Sequence, residues 1–99
     1  MINLDLNNPL ISLNNEAMKN DDGSIAILAK ILANNLTGVT PGIETVKAMA
    51  WAYDLWKTGM VEIDIPDYEK LYNYVSNLGI SNIIKLQLMD RMKAQKEEK

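Results

Sequence analysis

Apolar residues recur at intervals of three and four along most of the chain, and this spacing predicts four helices. The helices are expected at residues 24–36, 41–58, 65–78 and 81–94. Because each apolar stripe must be buried against another element, the pattern favours a mainly α, four-helix compact domain.

Residues suited to helix ends stand at these boundaries. Ser24, Asp64 and Ser81 are expected to be N-caps, since their side-chain oxygens can accept a hydrogen bond from a free backbone amide. Thr40-Pro41 is expected to begin the second helix, with proline in the first helical position. Gly59 is expected to end that helix in the left-handed conformation.

The N-terminal residues follow a different pattern. Ile2, Leu4 and Leu6 alternate with polar residues, as in a half-buried strand. After a turn, residues 10–13 could return as a second strand. Residues 1–23 are therefore expected to form a short N-terminal β-hairpin or an extended arm.

All 99 residues are expected to form one domain. Residues 60–63 alternate like the N-terminus and are expected to be a third small strand or an extended connector. The charged residues 95–99 are expected to form a frayed tail. No internal repeat is evident.

The second helix carries both tryptophans and is expected to be the central element of the fold. On a helical wheel, its broad apolar side comprises Val46, Met49, Ala50, Tyr53 and Trp56. Trp51 lies in the opposite sector, beside Leu55 and the charged residues Lys47 and Asp54. Trp56 is therefore expected in the core. Trp51 is expected either to be covered by the arm or the fourth helix, or to belong to a contact surface, where tryptophan is enriched.

The fourth helix has more apolar surface than one buried side requires. It includes Met89 and Met92, whose flexible side chains suit partner surfaces. A second subunit could cover this excess, so a homo-oligomer formed through helix four, helix two or both is expected. The candidate partner-binding residues are Trp51, Lys47, Asp54, Leu55, Met89 and Met92.

Composition excludes several kinds of chemistry. The chain has no cysteine and no histidine, which removes thiolate nucleophiles, the commonest general base and the usual metal ligands. No phosphate-binding loop is present, and the capping serines have no base beside them. The sequence therefore predicts a protein that is not an enzyme and that needs no cofactor and no metal.

Charge and hydropathy also limit the partners. The net charge of -3 lacks the positive field that phosphate binding requires, which argues against nucleic acid. No apolar run approaches the length of a membrane span, and the N-terminus lacks the pattern of a signal peptide. A cytoplasmic location without membrane contact is expected.

Several short segments together resemble a family. They are a turn at residues 5–10, the helix ILAKILANNL at residues 27–36, the end of an aromatic-rich helix at residues 54–59, and the connector VEID at residues 61–64. This layout is similar to that of small proteins of unknown function encoded by tailed bacteriophages and prophages. The resemblance implies a phage accessory protein that acts in the bacterial cytosol, and it implies no active-site residue.

The sequence leaves three functions open. The first is a small, non-enzymatic phage-type binding protein, oligomeric, that binds and inhibits a host protein or a defence system. The second is a sequestering binder of a small nucleotide signal, with Trp51 or Tyr74 stacking on a base and Lys47, Lys57 or Lys70 meeting phosphate. The third is a helical transcription regulator. A structural role in the virion is a further alternative.

Overall fold

Six elements follow one another in the computed structural model, which describes residues 1–97. They are β1 (Ile2–Asp5), α1 (Leu28–Leu36), α2 (Thr45–Thr58), β2 (Met60–Ile63), α3 (Ile65–Ser76) and α4 (Asn82–Glu97). The prediction of a mainly α domain with four helices is confirmed. The frayed tail expected at residues 95–99 is wrong for its first part, because α4 continues to Glu97; the last two residues lie outside the described part.

The N-terminal strand pairs with the other end of the helical region rather than with residues 10–13. β1 and β2 run antiparallel, with Ile2 opposite Ile63 and Asp5 opposite Met60. The predicted hairpin of residues 2–6 with residues 10–13 is thus wrong, and of the two alternatives for residues 60–63 the structure shows the small strand. The alternation explains the pairing, because both strands turn an apolar face inward and a polar face outward.

The arm between β1 and α1 contains a repeat that the sequence hides. Leu10, Met18 and Ala26 are eight residues apart and form a ring of backbone hydrogen bonds: Met18 donates to Leu10, Ala26 to Met18 and Leu10 to Ala26, at 2.8–2.9 Å. Each eight-residue step between them is a small hairpin with a three-residue loop. Asn15 and Gly23 hold the same place in the two loops, with φ of 68° and 88°, as a left-handed residue at this position requires.

The repeat explains why α1 begins later than expected. Ser24 is not an N-cap. It lies in the second hairpin, where its backbone amide donates a hydrogen bond to the Asp22 carboxylate. The first amides of α1 are satisfied by the arm, since Leu28 donates to the carbonyl of Asn8 and Ala29 to that of Leu6, both at 2.9 Å. Backbone carbonyls brought by tertiary contact replace the side-chain cap.

The other helix boundaries agree in part with the sequence. Asp64 caps α3 by accepting a hydrogen bond from the amide of Asp67 at 2.8 Å. Gly59 ends α2 in the left-handed conformation, with φ of 74°. Thr40-Pro41 does not begin α2. It forms a turn closed by Ile43, and the helix starts at Thr45.

The core lies between the helices and the inner face of the two strands. α1 and α2 form the most extensive helix contact, and α3 packs against α4. The fully buried larger side chains are Leu4, Leu6, Leu28, Leu32, Leu36, Leu55, Ile63, Leu71, Val75, Leu88 and Met92. Two glutamines of α4 also hold the N-terminal segment. Gln87 bonds to both backbone groups of Ile11, at 2.9 and 2.7 Å, and Gln95 does the same at Asp5.

Candidate partner-binding surface

Two predicted partner-binding residues of α2 lie inside the protein. Trp51 is 7% exposed and Leu55 is 0% exposed. Together with Ala48 and Ala52 they form the buried stripe of the helix. Of the two alternatives for Trp51, the structure shows burial within the chain, and the prediction of a contact surface at Trp51 is wrong.

The side of α2 predicted to be buried is the exposed one. Val46 is 80% exposed, Tyr53 59% and Trp56 51%. The prediction that Trp56 lies in the core is therefore also wrong, and the misassignment of Trp51 has the same cause. α2 carries two apolar stripes, and the wheel favoured the one with the larger side chains. The stripe that packs contains Ala48 and Ala52, whose small side chains let α1 approach closely.

The charged candidates of α2 remain at the surface. Lys47 forms an ion pair with Asp67 of α3, with 3.1 Å between Nζ and Oδ1. This hydrogen bond and the negative charge of Asp67 raise the pKa of the Lys47 ammonium above its ordinary value. Asp54 is exposed one turn before the end of the helix. Both are available beside the exposed stripe.

The methionine candidates of α4 are not a free surface. Met92 is 0% exposed and belongs to the core, so its prediction as a partner contact is wrong. Met89 is partly buried and packs against the same core. β1, α1 and α3 cover most of the apolar surface of α4 within the chain, and Leu86 remains 60% exposed. A second subunit is not needed to bury most of this surface.

The residues predicted for a stacked nucleotide are not brought together. Tyr74 is 5% exposed, and its hydroxyl donates to the carbonyl of Asn35 at 2.9 Å. Burial raises the pKa of this hydroxyl above its ordinary value. Lys57 and Lys70 are exposed, but neither of the predicted rings, Trp51 and Tyr74, lies at the surface.

The surface that the sequence missed is an apolar groove between α1 and α2. It has a volume of about 160 Å³ and is lined by Ala33, Asn34, Thr37, Met49, Ala52, Tyr53 and Trp56; we call it the aromatic groove. A second depression of about 400 Å³ shares Thr37 and Met49 with it and extends the surface to Val39 and Pro41.

Lys30 of α1 contacts Trp56, one of the residues that line the groove. The Nζ of Lys30 lies over the Trp56 ring, 4.9 Å from its centroid. Such a cation–π contact holds an exposed indole in place. The groove therefore presents an ordered aromatic side chain, which loses little entropy when it meets a partner.

A second cleft lies between α3 and α4. Its volume is about 350 Å³, and it is lined by Tyr68, Glu69, Tyr72, Lys93 and Lys96. The rings of Tyr68 and Tyr72 stack with centroids 6.0 Å apart. Lys96 lies 5.1 Å from the centroid of Tyr68 and pairs with Glu69 at 2.5 Å. These contacts join the two helices and pair Lys96 with Glu69.

Other site types are not formed by the described part of the chain. Among residues 1–97, no three acidic, histidine or cysteine side chains gather as a metal site would require. In the same range, no helix combines the length and the apolar character needed to cross a membrane. No family model, no curated protein and no solved structure matches this chain.

Proposed function

We propose that this chain is a small, non-enzymatic binding protein that recognises another protein through the aromatic groove. The single observation that carries the proposal is the half-exposed pair Tyr53 and Trp56, placed on one side of α2 above an apolar depression. Tyrosine and tryptophan dominate the energetics of protein interfaces, because each can bury a large rigid surface with few rotatable bonds.

The form of the groove supports a protein segment as the ligand. Its lining is mainly apolar, and Asn34 and Thr37 supply polar groups at its edge. A short helix or an extended segment with one or two apolar anchors would fit this pattern of an apolar centre and a polar rim. The adjoining depression toward Val39 lengthens the surface that such a segment could cover.

The resemblance to phage accessory proteins supports a bacterial host protein as the partner. On this proposal the chain acts in the host cytosol and inhibits an enzyme or a defence system by occupying its surface. The absence of histidine and cysteine from the whole sequence supports binding rather than catalysis.

Capture from a bacterial lysate with matched variants tests the proposal. The wild-type chain and Leu86→Ala, which removes a 60% exposed side chain of α4, should retain the same host protein. Trp56→Ala should lose it, with the affinity of the purified pair reduced at least about tenfold. Equal binding by Trp56→Ala, or no protein retained above an unrelated bait, would contradict the proposal.

A further inference from the structure

The outer face of α2 lies beside the aromatic groove and is not covered by the described chain. Val46, Ala50, Tyr53 and Lys57 follow one another along it at helical spacing, and all four are exposed; we call this face the α2 ridge. We propose that the α2 ridge pairs with the α2 ridge of a second copy, with the two helices antiparallel. This goes beyond the proposed function, because it concerns a different face of α2 that shares only Tyr53 with the groove.

The charges of α2 favour this arrangement. Lys47 and Asp54 lie at equal distances on either side of the point between Ala50 and Trp51. An antiparallel pair centred there places Lys47 opposite the second copy's Asp54, twice. A parallel pair would place like charges opposite each other.

Side chain size favours the same centre. Ala50 stands at the middle of the α2 ridge, where two helices would cross, and its small side chain allows close approach of the backbones. Tyr53 then enters the space between Val46 and Ala50 of the other helix, as a knob enters a hole. Lys47 keeps its bond to Asp67, since an ammonium has three donors and can serve two carboxylates.

The area of the contact predicts a weak dimer. Val46 and Tyr53, which are 80% and 59% exposed, would contribute roughly 200 Å² per copy. With the remaining residues of the face, the contact reaches on the order of 1,000 Å² in total, the lower limit of specific interfaces. An interface at this lower limit is typical of transient contacts, so we expect a dimer whose population rises with protein concentration.

Single cysteines test the register, because the natural chain has none. Ala50→Cys should form a disulfide-linked dimer under mild oxidation, since the two positions would meet within the roughly 4–7 Å that a disulfide spans. Lys57→Cys should not, because the antiparallel register separates its two copies by roughly 20 Å along the axis. Ala94→Cys, exposed on α4, gives the rate of random collision.

Sedimentation supplies a second measurement that needs no oxidant. Wild type and Ala94→Glu should dimerise with concentration, whereas Ala50→Glu should dimerise at least about tenfold more weakly with an unchanged circular dichroism spectrum. A wild-type chain that stays monomeric to about 1 mM, or Ala50→Cys linking no faster than Ala94→Cys, overturns the proposal. Faster linking of Lys57→Cys than of Ala50→Cys overturns the antiparallel register. Since Trp56→Ala tests the groove alone, either proposal can fail without the other.

Discussion

Gln95 forms with Asp5 both hydrogen bonds that a neighbouring strand would form. Its Oε1 accepts from the Asp5 amide at 2.5 Å, and its Nε2 donates to the Asp5 carbonyl at 2.7 Å. The side chain of Gln95 is thus an edge partner for β1, supplied by a helix 90 residues further along the chain. The open edge of a small sheet is closed without a third strand.

Replacing Gln95 by leucine should destabilise the fold. Gln95 is 8% exposed, so the two backbone groups of Asp5 would lose their partners in a poorly hydrated place. We expect a loss of about 1–3 kcal/mol in the free energy of unfolding, measured by urea denaturation. Lys93→Leu, on an exposed side of α4, should change this value little.

Replacing Gln95 by glutamate should make stability depend on pH. At neutral pH the introduced carboxylate can accept from the Asp5 amide but cannot donate to the Asp5 carbonyl, which it would repel. Protonation restores the donor, so the deficit relative to wild type should shrink as the pH falls below about 5. A deficit that stays constant from pH 7 to 4.5 would show that the two bonds do not act as described.

Alanine substitutions at Gly59 and Gly42 should distinguish two causes of lost stability, backbone strain and steric contact. Both have positive φ, 74° and 85°, but of the two only Gly59 lies where an added Cβ atom would collide with a neighbour, the side-chain amide of Asn7. Gly42→Ala should lose about 1 kcal/mol. Gly59→Ala should lose about 2 kcal/mol or more, because Asn7 must also release its bond to the Thr58 carbonyl. If thermal unfolding shows the same loss of stability for both variants, the steric contact between residue 59 and Asn7 is contradicted.

The two tryptophans should differ in stability and in fluorescence. Trp51→Ala empties a core position and should cost about 3–5 kcal/mol. Trp56→Ala should cost about 1 kcal/mol or less, mainly its contact with Lys30. With phenylalanine at one position at a time, the remaining Trp51 should emit at shorter wavelength and resist acrylamide quenching, whereas Trp56 should be quenched readily. The reverse result would mean that Trp56 is buried and Trp51 exposed, as the helical wheel predicts.

Tyr74 should make the protein sensitive to alkali. Burial raises the pKa of its hydroxyl in the folded chain, so the unfolded chain ionises first and the stabilisation is lost as the pH rises above about 10. Tyr74→Phe should be less stable than wild type at neutral pH by about 1 kcal/mol, because the bond to Asn35 is absent. Its free energy of unfolding should fall less steeply between pH 9 and 11.

Local patterns predicted the elements whose partners lie nearby. The spacing of apolar residues located four helices, Asp64 and Gly59 marked two of their ends, and Ile2, Leu4 and Leu6 marked an inward face. These features depend on backbone geometry and on residues a few positions apart. They therefore leave a signal in a single sequence.

Long-range choices left no such signal. Both stripes of α2 are apolar, and only the proximity of α1 decides that Trp51 is buried and Trp56 exposed. The start of α1 depends on carbonyls of Leu6 and Asn8 that reach it from the arm. The two hairpins of the repeat have similar φ angles and backbone hydrogen bonds, but no pair of equivalent positions carries the same residue type. The first of these choices accounts for the wrong placement of Trp51, Leu55 and Trp56, whereas Met92 is buried by the packing of α4 within the chain.

The distance in sequence between β1 and its partners has a consequence for synthesis on the ribosome. β1 leaves the exit tunnel before β2, which follows only after α1 and α2, and Gln95 is synthesised 90 residues after Asp5. At about 5–20 residues per second, the inward face of Ile2 and Leu4 stays uncovered for several seconds. The arm and the α1–α2 pair can form during that interval, because their contacts are local. Completion of the sheet therefore comes later than these local contacts, because it waits for β2.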